Sequence, residues 1–341
     1  MGYGILYEND NIYFTGQFEN NMKNGYGILY SNKCKIYEGE YINDKKHGLG
    51  NLFFNQTNII YFSGYFKFNT KNGPCKVYYN NGNLKIDGIY ENDNLIKGRA
   101  YYDNGNLKYT GLYKNNKYTG ESILYYEDGT IYYKGMFNNG LKNGLGILYQ
   151  NNNIEYDGSF LNDCKEGFGI LYENNKIIYR GNFKNNFKSG HGELFINNTH
   201  YIGSFENDYK DGYGKIYNNN NLYYTGRFKN NNKHGLGKLY KNNKIIYEGN
   251  FYNNSKDGYG ILYYTNTSII QYNGEWVNDM RCGYGTLYYK NKNILYKGQW
   301  ENNCTHGLGE EFDVNGKLVY KGEWFYNEKK CYNYVFFFNV V

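Results

Sequence analysis

Proline is almost absent: the 341 residues contain one, against 44 glycines and 46 tyrosines. Usage this far from average points to a repetitive architecture rather than to two ordinary domains. No stretch approaches 18 apolar residues, which excludes a membrane-spanning helix, and Met1-Gly2-Tyr3-Gly4 has neither the basic nor the apolar segment of a secretory signal. A cytoplasmic protein is expected. The six cysteines make no CxxC and no even framework, so free thiols in a reducing compartment are expected too. A large excess of one charge is also missing: a formal net charge of +6, with no basic arm or recognition helix, is too mild to argue for nucleic acid. No His, Cys or carboxylate set recurs at metal-ligand spacing and no nucleophile has a base to serve it, so no metal, cofactor or catalysis is expected. Aromatic residues are what the chain has in plenty. At 21% they supply far more buriable surface than a disordered chain carries, despite the abundant Asn.

A Tyr-x-Gly-x-Phe pattern recurs with its glycine at 16, 39, 64, 88, 111, 135, 158, 181, 203, 226, 249, 274, 298 and 322, in steps of 22 to 25 residues. Self-similarity at this period marks a repeat array in which each copy contacts mainly its neighbours. A glycine pair begins nine residues after each of the first thirteen of these glycines, except for Gly88 to Gly98, where the step is ten; after Gly322, Cys331 and Asn333 fall where the pair belongs. The connection from that pair to the next first glycine is looser, 11 to 14 residues. One link thus has fixed geometry, as in a hairpin loop of set length, and the other tolerates insertion. Tyr224, Gly226 and Phe228 alternate with Thr225 and Arg227, and Gly235, Gly237 and Leu239 alternate with Leu236, Lys238 and Tyr240. That is strand periodicity, so each repeat reads as two antiparallel strands.

The glycine pair could open a phosphate-cradling loop, but a dinucleotide fingerprint needs a third glycine three residues on and a helix behind it. Here Tyr30, Phe53, Tyr149, Tyr172, Phe195 and Tyr240 fill that place. A single-layer sheet has no second layer to pack against, and its rings must cover their own backbone. Glycine makes room for a cross-strand ring to lie flat on the main chain, an advantage that outweighs its entropic cost of about 0.5–1 kcal/mol in a strand. Gly226, Gly235, Gly237, Gly249, Gly258 and Gly260 are therefore read as structural.

Tyr247-Glu248-Gly249-Asn250-Phe251 followed by Asp257-Gly258-Tyr259-Gly260-Ile261-Leu262-Tyr263 resembles the MORN repeat, membrane occupation and recognition nexus. The resemblance covers nearly the whole chain and implies an all-β fold: an elongated single-layer antiparallel meander of about 13 tandem hairpins, twisted and grooved. One continuous array over 1–338 is expected, with a partial repeat at 1–13 and a capping strand at about 331–338. Variant repeats occupy about 70–130, where Gly73-Pro74-Cys75, Gly98-Arg99-Ala100 and Gly120-Glu121-Ser122 lose the second glycine. Asn81-Gly82 and Asn104-Gly105 keep these as hairpins. The first strand has an exposed edge, which suggests a homodimer through terminal edge strands.

A cation precedes most glycine pairs by two residues: Lys142, Lys165, Lys188, Lys210, Lys233, Lys256 and Arg281, and before them Lys23, Lys46 and Lys71, with Lys97 and Lys117 close to that register. Such a row is either simply solvated, offset by nearby Asp and Glu, or a docking edge for an extended anionic membrane surface. Phe183, Phe205, Phe228, Phe251, Trp276, Trp300 and Trp324 are candidate groove aromatics for protein partners. The resemblance implies a non-enzymatic scaffold for protein–protein interaction in cytoskeletal or membrane-associated assemblies, at the cell cortex or the cytoplasmic face of a membrane. The alternatives it implies are phosphoinositide binding and an accessory array like those of phosphatidylinositol phosphate kinases.

Overall fold

The computed structural model describes residues 2–330, so the capping strand expected at 331–338 lies outside the described residues. Its 29 strands belong to one antiparallel sheet and no helix occurs among the described residues, as the alternation implied. The chain divides into two compact units at Lys176/Ile177, and within each unit successive strands pair as hairpins.

In the second unit, Asn221–Lys229 and Asn232–Lys241 show how one hairpin is made. Asn230 and Asn231 form a two-residue turn with φ of 46° and 71°, the left-handed pair that a tight hairpin requires and that Asn tolerates. The nine-residue link is therefore not a loop. It consists of this turn plus ladder on both sides, with Phe228 opposite Lys233 and Gly226 opposite Gly237, and the register slips once between Gly226 and Phe228. There His234, Gly235 and Leu236 of the second strand face the single residue Arg227 of the first. Asn81-Gly82 and Asn104-Gly105 close longer hairpins, in which the Gly82 N–H donates to the Tyr79 carbonyl (3.0 Å) and the Gly105 N–H to the Tyr102 carbonyl (3.0 Å).

The glycines of the repeat serve two different purposes. Gly235 and Gly258, first in their pairs, have φ of +66° and +90°, where a side chain is strained. Gly226, Gly237, Gly249 and Gly260 are instead directly opposite one another from strand to strand. The same row runs through the second unit from Gly181 to Gly322. A Cβ on Gly249 would lie 2.5 Å from the Gly260 Cα, and one on Gly237 would lie 2.7 Å from ring carbons of Tyr224.

Above this row sits the core. Tyr179, Tyr224, Tyr247 and Tyr272 are fully buried, each lying edge-on to the ring of its own repeat and to that of the next. Tyr224 meets Phe228 at 5.2 Å and Phe251 at 5.4 Å, with interplanar angles of 82° and 89°. Such edge-to-face pairs contribute about 0.5–1.5 kcal/mol each beyond their burial. The hydroxyl explains why tyrosine is used: Tyr224 donates to the carbonyl of Arg227, the residue facing the bulge (3.1 Å). Tyr179, Tyr201, Tyr247, Tyr272 and Tyr296 bond the equivalent carbonyl three residues on.

In the first unit the row persists from Gly4 to Gly64 and from Gly135 to Gly169, with Cys75 and Ser122 taking glycine positions between. Ser122 is buried and shares a hydrogen bond with the Tyr109 hydroxyl (2.7 Å). Gly98 pairs with Gly88 and with Gly111, so it is the second glycine of its pair and not the first. That repeat has lost one residue and with it the left-handed glycine.

Tyr224→Phe strands one carbonyl and lowers stability by about 1 kcal/mol, whereas Gly237→Ala puts a methyl into the ring and costs about 3 kcal/mol. Urea unfolding of the two variants checks the order. Alkaline pH probes the same rings together: burial pushes the hydroxyls of Tyr133 and Tyr296 up to about 12 and raises those of Tyr179, Tyr224 and Tyr247 as well. The folded state therefore holds protons that the unfolded chain releases near pH 10. Stability is complete below about pH 10 and falls as pH rises from there toward 12. The part of the tyrosinate absorbance that belongs to these buried rings then changes together with the far-UV circular dichroism, while their ionisation near pH 10 with the sheet intact would contradict their burial.

Candidate functional site

The aromatic face is closed to partners. Phe183, Phe205, Phe228, Phe251, Trp276, Trp300 and Trp324, expected to line a groove, are exposed by no more than 7%. They fill the space between successive tyrosines, because a single layer has nothing else to bury. The indole N–H groups of Trp276 and Trp300 donate to the Gly260 and Gly285 carbonyls (3.2 and 3.1 Å).

The cations complete this face. Lys233 lies in a strand, its ammonium 5.6 Å from the centre of the Tyr224 ring and 5.5 Å from that of Phe251. Lys142, Lys165, Lys188, Lys210 and Lys256 are placed likewise over Tyr133, Tyr156, Tyr179, Tyr201 and Tyr247, and the Arg281 guanidinium is 4.3 Å from the Trp300 ring. A cation on a ring face is attracted by its quadrupole. Burial holds Lys46, Lys210 and Lys233 below the usual ammonium range. Lys97 and Lys117 are not members of the row. Leu95 and Tyr118 hold those positions, opposite Tyr90 and Tyr113.

The main chain of each cation is clamped by the next hairpin. The Lys233 N–H donates to the Asn254 side-chain oxygen (2.9 Å) while the Asn254 N–H donates to the Lys233 carbonyl (3.0 Å). Asp208 does the same for Lys188 and Asp279 for Lys256, and these carboxylates also pair with the ammonium groups at 3.3 and 3.5 Å. The second turn residue is Asn or Asp for this reason as well as for its left-handed backbone.

The opposite face is open. The residue between the two glycines of each pair points there: His191, Tyr213, Leu236 (68% exposed), Tyr259, Tyr284 and Leu308 in the second unit, and Tyr26, Leu49, Leu145 and Phe168 in the first. Tyr213, Leu236 and Tyr259 line a groove of about 440 Å³, floored by Gly226, Gly237, Gly249 and Gly260. Thr225, Asn250, Ile261 and the Lys238–Glu248 pair (2.9 Å) contribute the rest of its lining. Sequence reasoning passed over these residues because it looked for the largest rings. The signal was the period of two, which sends Leu236 to the face opposite Gly237.

Among the described residues, no group of His, Cys, Asp and Glu could hold a metal, and five cysteines are free. The two faces separate in a stability experiment. Phe228→Ala loses about 3–5 kcal/mol, and Leu236→Ser stays within about 0.5 kcal/mol of the parent chain. Thermal unfolding of both variants reads the difference.

The MORN repeat model matches eleven segments: residues 14–35, 37–55, 62–84, 109–131, 133–154, 179–199, 201–222, 224–244, 247–269, 272–294 and 296–317. No curated protein matches the chain. The matched segments are the glycine-and-tyrosine hairpins described above and make up most of the sequence, and the chain belongs to the MORN repeat family.

Proposed function

We propose that this chain is a non-enzymatic scaffold that binds protein partners on its open face and organises a cytoskeletal or membrane-apposed assembly in the cytoplasm. The observation that carries this reading is the file of exposed apolar residues Tyr213, Leu236, Tyr259, Tyr284 and Leu308 over a glycine floor. These side chains do little for the fold, since the sheet is held from its other side. Exposed apolar groups recurring once per hairpin, about 10 Å apart, suit a partner that runs across several repeats and adds weak contacts.

Docking of Lys142, Lys165, Lys188, Lys210, Lys233, Lys256 and Arg281 on a phosphoinositide membrane draws less support. These cations are committed to rings, and Lys142, Lys188 and Lys256 also to Asp163, Asp208 and Asp279.

Proximity labelling in the native cell, comparing the parent chain with a Tyr213→Ser, Leu236→Ser, Tyr259→Ser variant, tests the scaffold reading. The expected outcome is a set of labelled proteins that the variant loses while remaining folded. An unchanged set would place the partner surface elsewhere, and catalytic turnover by the purified chain would overturn the non-enzymatic reading.

A further inference from the structure

One hairpin of the first unit lacks three large groups at once. Ile86 stands where other repeats have Tyr or Phe, Ala100 where all but one of them have Leu, Ile or Val, and Leu95 where most have the cation. The edge-to-face file of rings, continuous from Phe14 to Tyr90, stops there and begins again at Tyr109. What remains is a cavity of about 360 Å³ bordered by Ile86 and Ala100.

Its lining is cationic. Lys85, Lys108 and Lys117 border it without any carboxylate; Lys85 and Lys108 lie over the Tyr79 and Tyr102 rings at 5.3 and 5.2 Å, but, unlike Lys142, Lys188 and Lys256, none of the three is in an ion pair. Tyr113 also borders it, 8% exposed, with a hydroxyl that is buried and makes no hydrogen bond. The clamp between neighbouring hairpins fails at this place too. In at least ten repeats an Asn or Asp oxygen accepts from the N–H at the cation position. For Tyr118 the corresponding residue is Gly140, which keeps the backbone bond to the Tyr118 carbonyl (2.9 Å) and has no side-chain oxygen to offer. A Cβ on Gly140 would meet only the Lys117 Cβ, at 3.8 Å, and Gly140 and Tyr118 both border the cavity.

We propose that this cavity binds a phosphate monoester. One phosphate oxygen replaces the carboxylate oxygen missing at Gly140 and accepts from the Tyr118 N–H. The others face Lys85, Lys108 and Lys117, and the organic part of the ester takes the space left by Tyr and Leu, against Tyr79 and Tyr101. Three ammonium groups without a carboxylate match a dianion better than a monoanion.

Calorimetric titration of the full chain with phenyl phosphate and with inorganic phosphate at low salt tests the site, beside co-sedimentation with vesicles containing a phosphoinositide. Binding of phenyl phosphate without vesicles assigns a soluble ester, and binding of vesicles alone assigns a lipid headgroup. Both support the site when two variants behave as follows. Lys108→Gln weakens binding about tenfold, the loss of one charge-assisted hydrogen bond. Gly140→Asp abolishes binding because its carboxylate takes the place of the ligand oxygen; Gly140 has φ of +88°, so strain there offsets the restored clamp, and thermal unfolding measured alongside shows that the variant is folded. Absence of binding by every probe, or binding that both variants leave unchanged, would overturn the proposal.

Discussion

A tyrosine ring laid across two glycines is the contact on which the sheet depends. A sheet one layer thick offers its backbone to water on both sides and has no opposing layer to supply a hydrophobic interior. The glycine row allows side chains of the same layer to do that work. With no Cβ at Gly226 or Gly237, Tyr224 covers the main chain of its own hairpin and reaches the bulge carbonyl at Arg227. Phe228 and Phe251 then close on the ring from two sides and Lys233 caps it. Each repeat thereby needs its neighbour, since buried tyrosines such as Tyr179, Tyr224, Tyr247 and Tyr272 each meet one ring of their own repeat and one of the next. Cooperativity along such an array follows from shared rings.

The arrangement divides the two faces by task. Rings, cations and turn clamps all lie on one side, where almost nothing large is exposed. The other side carries what the fold does not use, Tyr213, Leu236 and Tyr259 among them. The hairpin with Ile86, Leu95 and Ala100 is the place where the covered face opens. Its departures are mutually consistent, because losing the ring, the leucine and the cation together leaves one continuous space instead of three small defects.

Much of the fold was legible in the sequence because its two constraints are local. The period of two gave the strands, and the nine-residue step, kept in all repeats but one, gave the hairpins. Gly235 and Gly237 were read with a single purpose, whereas one meets a backbone requirement and the other a steric one. Only coordinates separate these, since a positive φ and a close ring leave the same letter. Lys233 looked like a loop residue because the distance between glycines hides a two-residue turn. Phe228 and Trp276 looked like ligand-facing rings because sequence shows size but not which face is closed. Gly140 could not have been noticed at all: it matters only because Asn or Asp holds that place elsewhere, and the clamp they make joins residues some twenty positions apart.

The geometry of ring over glycine can be observed directly by NMR. A proton held beneath an aromatic face is shifted strongly upfield, so the Hα resonances of Gly237 and Gly260 are expected far from ordinary glycine values, with through-space contacts to the Tyr224 and Tyr247 rings respectively. Ordinary glycine shifts and no contact to those rings would contradict the covering of the backbone by tyrosine.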